Sequence, residues 1–192
     1  MARRKTIPDE AVLDTILETL RQTGPAGLTF ALAAKAAGLS AATLVQRYGD
    51  REALLEAVLL RAWDRLDAET EAADAEEAPD LQGAIAFLLR LMPPEAAEET
   101  ATDGLLLLRE DIRNPVLRAR GAAWGLRVAR ALGRRLSADP VEGERLGWQM
   151  AGIWQGAHLW WAFTRSQPAE AAMRSALEDW ARGLPVENAP QP

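Results

Sequence analysis

Residues that start and stop helices recur along the chain and divide it into helix-length segments. Asn114-Pro115 and Asp139-Pro140 each place a capping side chain before a proline, which favours the first turn of a helix. Gly24-Pro25, Gly38 and Gly49 are typical of helix ends. The spacing of these signals predicts nine helices, three short and six longer, without an internal repeat.

The composition also favours helices over strands. Ala, Leu, Glu and Arg dominate the chain, whereas Phe, Tyr and β-branched residues are scarce. No segment shows the alternation of apolar and polar residues that is typical of a half-buried strand. The predicted fold class is therefore all-α.

The sequence offers little to a metal or redox site. It contains no cysteine and one histidine, so no disulfide framework, thiolate or cysteine-ligated metal is expected, and neither is a cofactor. No apolar run has the length that a bilayer requires, so we expect a cytoplasmic protein without a membrane partner.

The charge is distributed unevenly. The net charge is −6, yet residues 1–51 carry seven Lys and Arg against five Asp and Glu, a local charge of +2. The remainder therefore carries −8. Such an asymmetry is typical of a nucleic-acid-facing end attached to a body that binds something else.

The most informative segment spans residues 28–55. Thr29, Ser40 and Asp50 are positioned to cap three successive helices, and Gly38 permits a tight turn between the first two of them. Leu39 and Leu44 supply apolar side chains for the inside of this hairpin. The pattern predicts a helix-turn-helix unit over residues 1–60, a helical body over 61–186 and a disordered tail over 187–192.

This segment resembles the tetracycline-repressor (TetR/AcrR) family of regulators. Members show a Thr-capped helix, a Gly-hydrophobic-Ser turn, then Thr-Leu-Tyr-x-His-Phe and Lys-Glu-Ala-Leu-Leu. The matching residues here are Thr29, Gly38-Leu39-Ser40, 43–48 and 51–55. The resemblance implies a homodimer, a divergent ligand-binding body and repression relieved by a small molecule.

Three positions depart from the family pattern. Val45 stands where a phosphate-contacting Tyr is usual, Arg47 replaces the usual His, and Ala31 occupies a position that is often basic or polar. Valine cannot donate a hydrogen bond, whereas Arg47 could restore a phosphate contact through its charge. Base reading is therefore expected to depend on Thr43, Gln46 and alanine methyl groups, with a contribution from DNA shape.

We predict an interface with double-stranded operator DNA that combines base-reading and phosphate-contacting side chains. Its residues are Thr29, Lys35, Ser40, Ala41, Ala42, Thr43, Gln46, Arg47, Tyr48 and Arg51. Five of them are expected on the exposed face of the recognition helix, namely Ala41, Ala42, Thr43, Gln46 and Arg47. Arg3, Arg4 and Lys5 could follow the DNA backbone or simply solubilise the amino terminus.

The body is rich in tryptophan, and aromatic walls suit a small, mostly apolar organic effector. The candidate pocket residues are Trp63, Phe87, Leu91, Leu105, Arg109, Trp124, Met150, Trp154, His158 and Trp161. For each tryptophan the alternative is an ordinary core position. For His158 a hydrogen bond to ligand or backbone is expected rather than a metal, because no second His or Cys can join it.

The eighth predicted helix is apolar nearly all round, and the ninth has one apolar stripe. A helix of the first kind is buried from two directions, so we predict a homodimer through both helices. Its interface residues are Gly152, Gly156, Trp160, Met173, Ala176, Leu177 and Trp180. The alternative is that both helices only complete the core of a monomer.

Two other classes of function stay open at this point. An enzyme is not expected, because the sequence shows no nucleophile elbow, phosphate loop or metal cluster. An all-α carrier or interaction protein whose helix-turn-helix no longer binds DNA is conceivable, given Val45 and Ala31.

Overall fold

A computed structural model describes residues 7–184, except for the side chains of 94–96, 98–100, 102 and 103. Nine α-helices and no strands occur in this range, which confirms the all-α prediction. Two predictions concern residues outside the described range: the role of Arg3, Arg4 and Lys5 at the amino terminus, and the disordered tail over 187–192. The helices are α1 (Asp9–Gly27), α2 (Phe30–Ala37), α3 (Ala41–Tyr48), α4 (Arg51–Glu76), α5 (Leu81–Arg90), α6 (Pro94–Arg113), α7 (Pro115–Leu136), α8 (Pro140–Thr164) and α9 (Ala169–Arg182).

Most helix starts follow from the capping residues in the sequence. The Thr29 and Ser40 hydroxyls accept hydrogen bonds from the backbone N–H groups of Leu32 and Thr43, at 3.2 and 3.1 Å. The carboxylates of Asp50 and Asp139 accept equivalent bonds at the starts of α4 and α8. Each cap satisfies backbone donors that the first turn of a helix leaves without partners.

Two helix bounds differ from the sequence-based prediction. The sequence predicts that Pro93-Pro94 closes one helix and that the next spans roughly Thr102–Arg113. α6 begins instead at Pro94, because the double proline also opens this helix. The helical path of α1 breaks at Gly24, which has a φ of 67°, and a further turn then extends it to Gly27. The glycine supplies the break that was expected, but the chain resumes a helical turn beyond it.

The described residues fall into two compact units. The first comprises Met1–Arg65 with Asp103–Arg120, and the second comprises Leu66–Thr102 with Gly121–Pro192. The segment 103–120 thus groups with the amino-terminal helices, which the sequence did not indicate. Within the described ranges, no helix combines the length and apolarity that a bilayer crossing requires.

The core of the first unit joins the short helices to longer ones. Apolar residues at helical spacing on α1 pack with α2, α3 and the start of α4, and Leu117 of α7 completes the cluster. Leu44 is the one fully buried side chain of α3. Helices of eight residues are too short to be stable alone, so this packing is what holds α2 and α3 in place.

The second unit has a separate core in which α7 and α8 approach closely. A Cβ added at Gly147 would lie 1.9 Å from the Ala129 carbonyl oxygen, and Gly133 and Gly143 face each other similarly. Only glycine allows two helix backbones to pack at this distance. Phe87, Leu132, Leu146 and Met150 are among the buried residues of this core.

Candidate nucleic-acid interface

The helix-turn-helix unit consists of α2, a left-handed glycine and α3. Gly38 has φ 65° and ψ 30°, a conformation that favours glycine over residues with a side chain. The Leu39 N–H donates to the Ala34 carbonyl at 3.0 Å, so the end of α2 is closed by backbone bonds. This turn fixes where α3 begins.

The exposed side of α3 differs in part from the predicted one. Ala41, Ala42, Val45 and Gln46 are exposed, whereas Thr43 and Arg47 are half-buried. The Thr43 hydroxyl is hydrogen-bonded to the Ser40 hydroxyl, 2.8 Å away, as part of the helix cap. Val45 therefore belongs to the exposed face of α3. From the sequence alone, this valine is only the replacement of a phosphate-contacting tyrosine.

The two arginines predicted to contact phosphates already have partners in the protein. Arg47 donates to the Asp9 carboxylate at 2.8 Å. The Arg51 guanidinium donates to the backbone carbonyls of Leu28, at 2.8 Å, and Pro25. Arg51 thereby links the start of α4 to the last turn of α1 and to Leu28, which follows α1, and this gives it a structural role.

The remaining predicted residues of the interface lie around this surface. Lys35 is exposed on α2 and makes no ion pair with any described residue. The Tyr48 hydroxyl is buried close to Asp9 and Arg47, and burial together with the Asp9 charge raises the pKa of this phenol. Thr29 and Ser40 are exposed, and their hydroxyl oxygens accept the capping hydrogen bonds of α2 and α3.

Three pairs of polar side chains link helices within the first unit. Arg61 binds Asp14 through two hydrogen bonds of 2.9 Å, which lower the pKa of this carboxyl. The Trp63 indole N–H donates to Asp111 at 3.0 Å, although burial raises the pKa of Asp111. Asn114 donates to Glu56 at 2.6 Å. The α6–α7 segment 103–120 is thereby fastened to α4.

The predicted effector-binding residues do not form one group. Trp63, Leu105 and Arg109 lie in the first unit, where Leu105 and Arg109 are exposed. The other seven lie in the second unit. They are Phe87, Leu91, Trp124, Met150, Trp154, His158 and Trp161.

The seven residues of the second unit pack in or against its core. His158 is buried, with its Nε2 atom 2.9 Å from the Ala97 carbonyl oxygen, and its ring stacks on Trp161. Trp154 is 3 % exposed, and its indole N–H has no hydrogen-bond partner among the residues that the structure describes. A buried donor without an acceptor is costly.

A cavity lies elsewhere in the second unit. It has a volume of about 920 Å³, lies between α7 and α8 and includes Arg130, Val141, Arg145 and Trp148 in its lining. Arg130 and Arg145 are paired with Glu144 and Glu142. None of the predicted effector-binding residues lines it, and residues 7–184 hold no cluster of three potential metal ligands whose side chains are described.

The predicted dimer residues separate into two groups. Gly152 and Trp160 are exposed and Gly156, Ala176 and Trp180 are half-buried, whereas Met173 and Leu177 are fully buried. Met173 and Leu177 pack into the core of their own chain, because α9 turns its apolar stripe towards that core. Their contact with a partner stays a prediction. A one-sided stripe indicates burial but not which surface covers it.

A family model describes the amino-terminal segment of this chain. Residues 12–58 match the model for "Bacterial regulatory proteins, tetR family". These residues contain α2 and α3 with most of α1 and the start of α4. None of the curated proteins compared with the chain is significantly similar to it.

Solved structures share the fold at low sequence identity. A transcriptional regulator from Rhodococcus sp. has a TM-score of 0.74 and 17 % identity, over 93 % of this chain and 100 % of the other. The TetR-family regulator PfmR from Thermus thermophilus has a TM-score of 0.58 and 19 % identity, over 91 % and 98 %. A protein from Saccharomonospora viridis, described as a transcriptional regulator in complex with choline, has a TM-score of 0.70 and 16 % identity, over 94 % and 97 %.

Proposed function

We propose that this chain is a transcriptional regulator of the TetR family, and specifically a ligand-responsive repressor that binds a pseudo-palindromic operator as a homodimer. The family model that matches residues 12–58 supports this assignment. The observation that carries this proposal is the capped α2-turn-α3 unit, which presents Ala41, Ala42, Val45 and Gln46 on one exposed face. Short side chains on this face allow α3 to enter a major groove without steric conflict. The proposed location is the cytoplasm.

On DNA, Gln46 is the proposed base-reading residue, because its amide can donate to and accept from one adenine edge. The methyl groups of Ala41, Ala42 and Val45 can contact thymine methyl groups. Lys35 is a proposed phosphate ligand, because it is exposed and makes no ion pair with any described residue. The helix starts at Thr29 and Ser40 add backbone N–H groups, which suit a phosphate.

The proposed homodimer forms through α8. From residue 146 to 164 this helix carries no ionisable side chain except the buried His158, and Trp148, Leu159, Trp160 and Phe163 are exposed. In the described part of the chain, no other side chain or helix lies within 4 Å of a Cβ placed at Gly152 or Gly156, so another backbone can come close there. Charge depletion and exposed aromatic rings are typical of the centre of an interface.

The proposed effector binds in the aromatic core of the second unit. The neighbour from Saccharomonospora viridis binds choline, which supports a small organic ligand for this fold. Here the unpartnered Trp154 N–H favours a mostly apolar molecule with one hydrogen-bond acceptor. α4 runs from the first unit into the second, and we propose that it transmits the effect of binding.

An electrophoretic shift with the DNA that flanks the gene tests the DNA-binding proposal. The wild-type protein should retard a pseudo-palindromic fragment, and Gln46→Ala should reduce discrimination at one base pair per half-site by about 1–3 kcal/mol. Gln82→Ala, the same change at an exposed position of α5, should alter neither affinity nor preference. Lys35→Ala should weaken binding to all sequences alike.

Two results would contradict this assignment. A Gln46→Ala protein that keeps its base preference would remove Gln46 as the reading residue. A folded wild-type protein that retards no duplex even at low salt would favour the alternative of an all-α carrier whose helix-turn-helix does not bind DNA.

Tryptophan fluorescence tests the effector site. Acetophenone, an apolar ring with a carbonyl acceptor, should quench the protein at lower concentration than ethylbenzene, which lacks the acceptor. Trp154→Phe keeps a ring but removes the donor, and should abolish this difference. Equal quenching of the wild-type protein by both compounds would contradict a role for the Trp154 N–H.

The same titration, repeated in the presence of operator DNA, measures the coupling between ligand binding and DNA binding. A ligand that weakens operator binding a hundredfold needs about 2.7 kcal/mol of coupling, and operator must then weaken ligand binding by the same factor. If saturating operator leaves the affinity for the ligand unchanged, the ligand binds but does not control DNA binding.

A further inference from the structure

The ion pair between Arg47 and Asp9 joins the recognition helix to the start of α1. Arg47 lies in the last turn of α3, and its guanidinium is 2.8 Å from an Asp9 carboxylate oxygen. The Arg47 side chain is 22 % exposed and the Asp9 side chain 67 % exposed. The arginine is thus turned towards the protein, while its acidic partner borders solvent.

The other charged groups near the start of α1 are engaged differently. Asp14 binds Arg61 and lies 3.8 Å from Arg65. Glu10, the residue after Asp9, acts on Arg61 through its charge and makes no ion pair with Arg47 among the described residues. Asp9 is therefore the acid that holds Arg47, and Glu10 offers a comparison of equal charge.

We propose that Asp9 is an internal competitor for Arg47 that sets the affinity of this protein for DNA of any sequence. This inference rests on the proposed DNA-binding function. In the free protein the carboxylate occupies the guanidinium that a DNA phosphate would bind. Binding DNA through Arg47 then requires the phosphate to displace or share the carboxylate.

The physical balance favours such an exchange. An ion pair at a protein surface contributes little, because water and salt screen both charges. Arg47 and Asp9 share one hydrogen bond, whereas a phosphate can bind a guanidinium through two parallel bonds, and each phosphate that is neutralised also releases counterions from the DNA. The displaced Asp9 carboxylate would remain near the phosphate and repel it, so Asp9 weakens binding in both ways.

The test uses fluorescence anisotropy with the full chain and two labelled duplexes, one from the flanking operator region and one unrelated. Asp9→Asn keeps the shape of the side chain and removes its charge. It should tighten binding to both duplexes by the same factor, about 3–10-fold at physiological salt. The slope of log affinity against log salt should steepen by about 1–2 per dimer, since each new phosphate contact contributes about 0.9.

Glu10→Gln is the matched control, because it removes the same charge one residue later. It should tighten binding less and leave the salt slope unchanged. In an Arg47→Ala background, Asp9→Asn should have no more effect than Glu10→Gln. Thermal melting of each variant separates a loss of fold from a change of affinity, and Arg47→Lys provides a second variant that retains the positive charge.

The outcomes distinguish this inference from the proposed function. If the wild-type protein binds DNA but Asp9→Asn leaves affinity and salt slope unchanged or weakens binding, Asp9 is not a competitor. An Asp9→Asn effect of equal size with and without Arg47 would also overturn the inference. If the wild-type protein binds neither duplex, the DNA-binding function itself fails.

Discussion

Gly147→Ala is expected to lower the free energy of unfolding by about 3 kcal/mol. The added methyl group would lie 1.9 Å from the Ala129 carbonyl oxygen and 3.0 Å from the Ala129 Cα atom. Both atoms belong to the backbone of α7, so no side-chain rotation relieves the clash. α7 and α8 must separate, which loosens the core around Leu132 and Leu146.

Urea and thermal unfolding followed by circular dichroism measure this effect. For a chain of this size a loss of 3 kcal/mol corresponds to a fall in Tm of about 6–12 °C. The higher helix propensity of alanine, about 1 kcal/mol, offsets only part of the clash. A loss below about 1 kcal/mol would mean that α7 and α8 do not pack backbone to backbone at Gly147.

Gly152→Ala is the control for this prediction. It is the same substitution five residues later in α8, where no neighbouring side chain or helix lies within 4 Å of the Cβ position. Measured on dilute, monomeric protein, it should be neutral or stabilise the chain by up to about 1 kcal/mol. In the monomer Gly147 is buried against α7, whereas Gly152 is exposed, so the comparison isolates the effect of this packing.

The helix-turn-helix was predictable from sequence because its determinants are local. Thr29 and Ser40 bond to N–H groups three residues away, and Gly38 adopts its left-handed conformation within its own turn. The start of α6 was missed, because a double proline can close one helix and open the next. Signals of this kind are ambiguous whenever two helices follow each other directly.

Interactions between distant parts of the chain could not be predicted. The residues around Arg47 in the sequence predict that it contacts a DNA phosphate, whereas its partner in the structure, Asp9, is 38 residues away. Met173 and Leu177 follow an apolar stripe that fits a partner and a monomer core equally well. Trp154 illustrates the same limit, because no spacing rule reveals that its N–H lacks an acceptor.

Replacing Trp160 and Phe163 together with glutamate is expected to produce a monomer that binds operator more than a hundredfold more weakly. The two side chains are 69 % and 76 % exposed on α8, so the change should not disturb the fold of the single chain. In a dimer, however, it would place four carboxylates in an uncharged apolar contact. Burying such charges without partners costs several kcal/mol each.

The loss of DNA affinity follows from the loss of the second recognition helix. When two linked helices bind two half-sites, the second contact forms at a high effective concentration, which strengthens binding by about 10²–10⁴-fold. A monomer retains one half-site contact and loses this gain. Sedimentation velocity and an electrophoretic shift on the same samples measure both quantities.

A control variant carries Ser175→Glu and Gln82→Glu, which add the same charge at exposed positions of α9 and α5. This protein should remain dimeric and bind operator like the wild-type chain, apart from a small electrostatic loss. A Trp160→Glu, Phe163→Glu protein that sediments as a dimer would exclude α8 as the centre of the interface. A monomer with unchanged operator affinity would instead refute the requirement for two recognition helices.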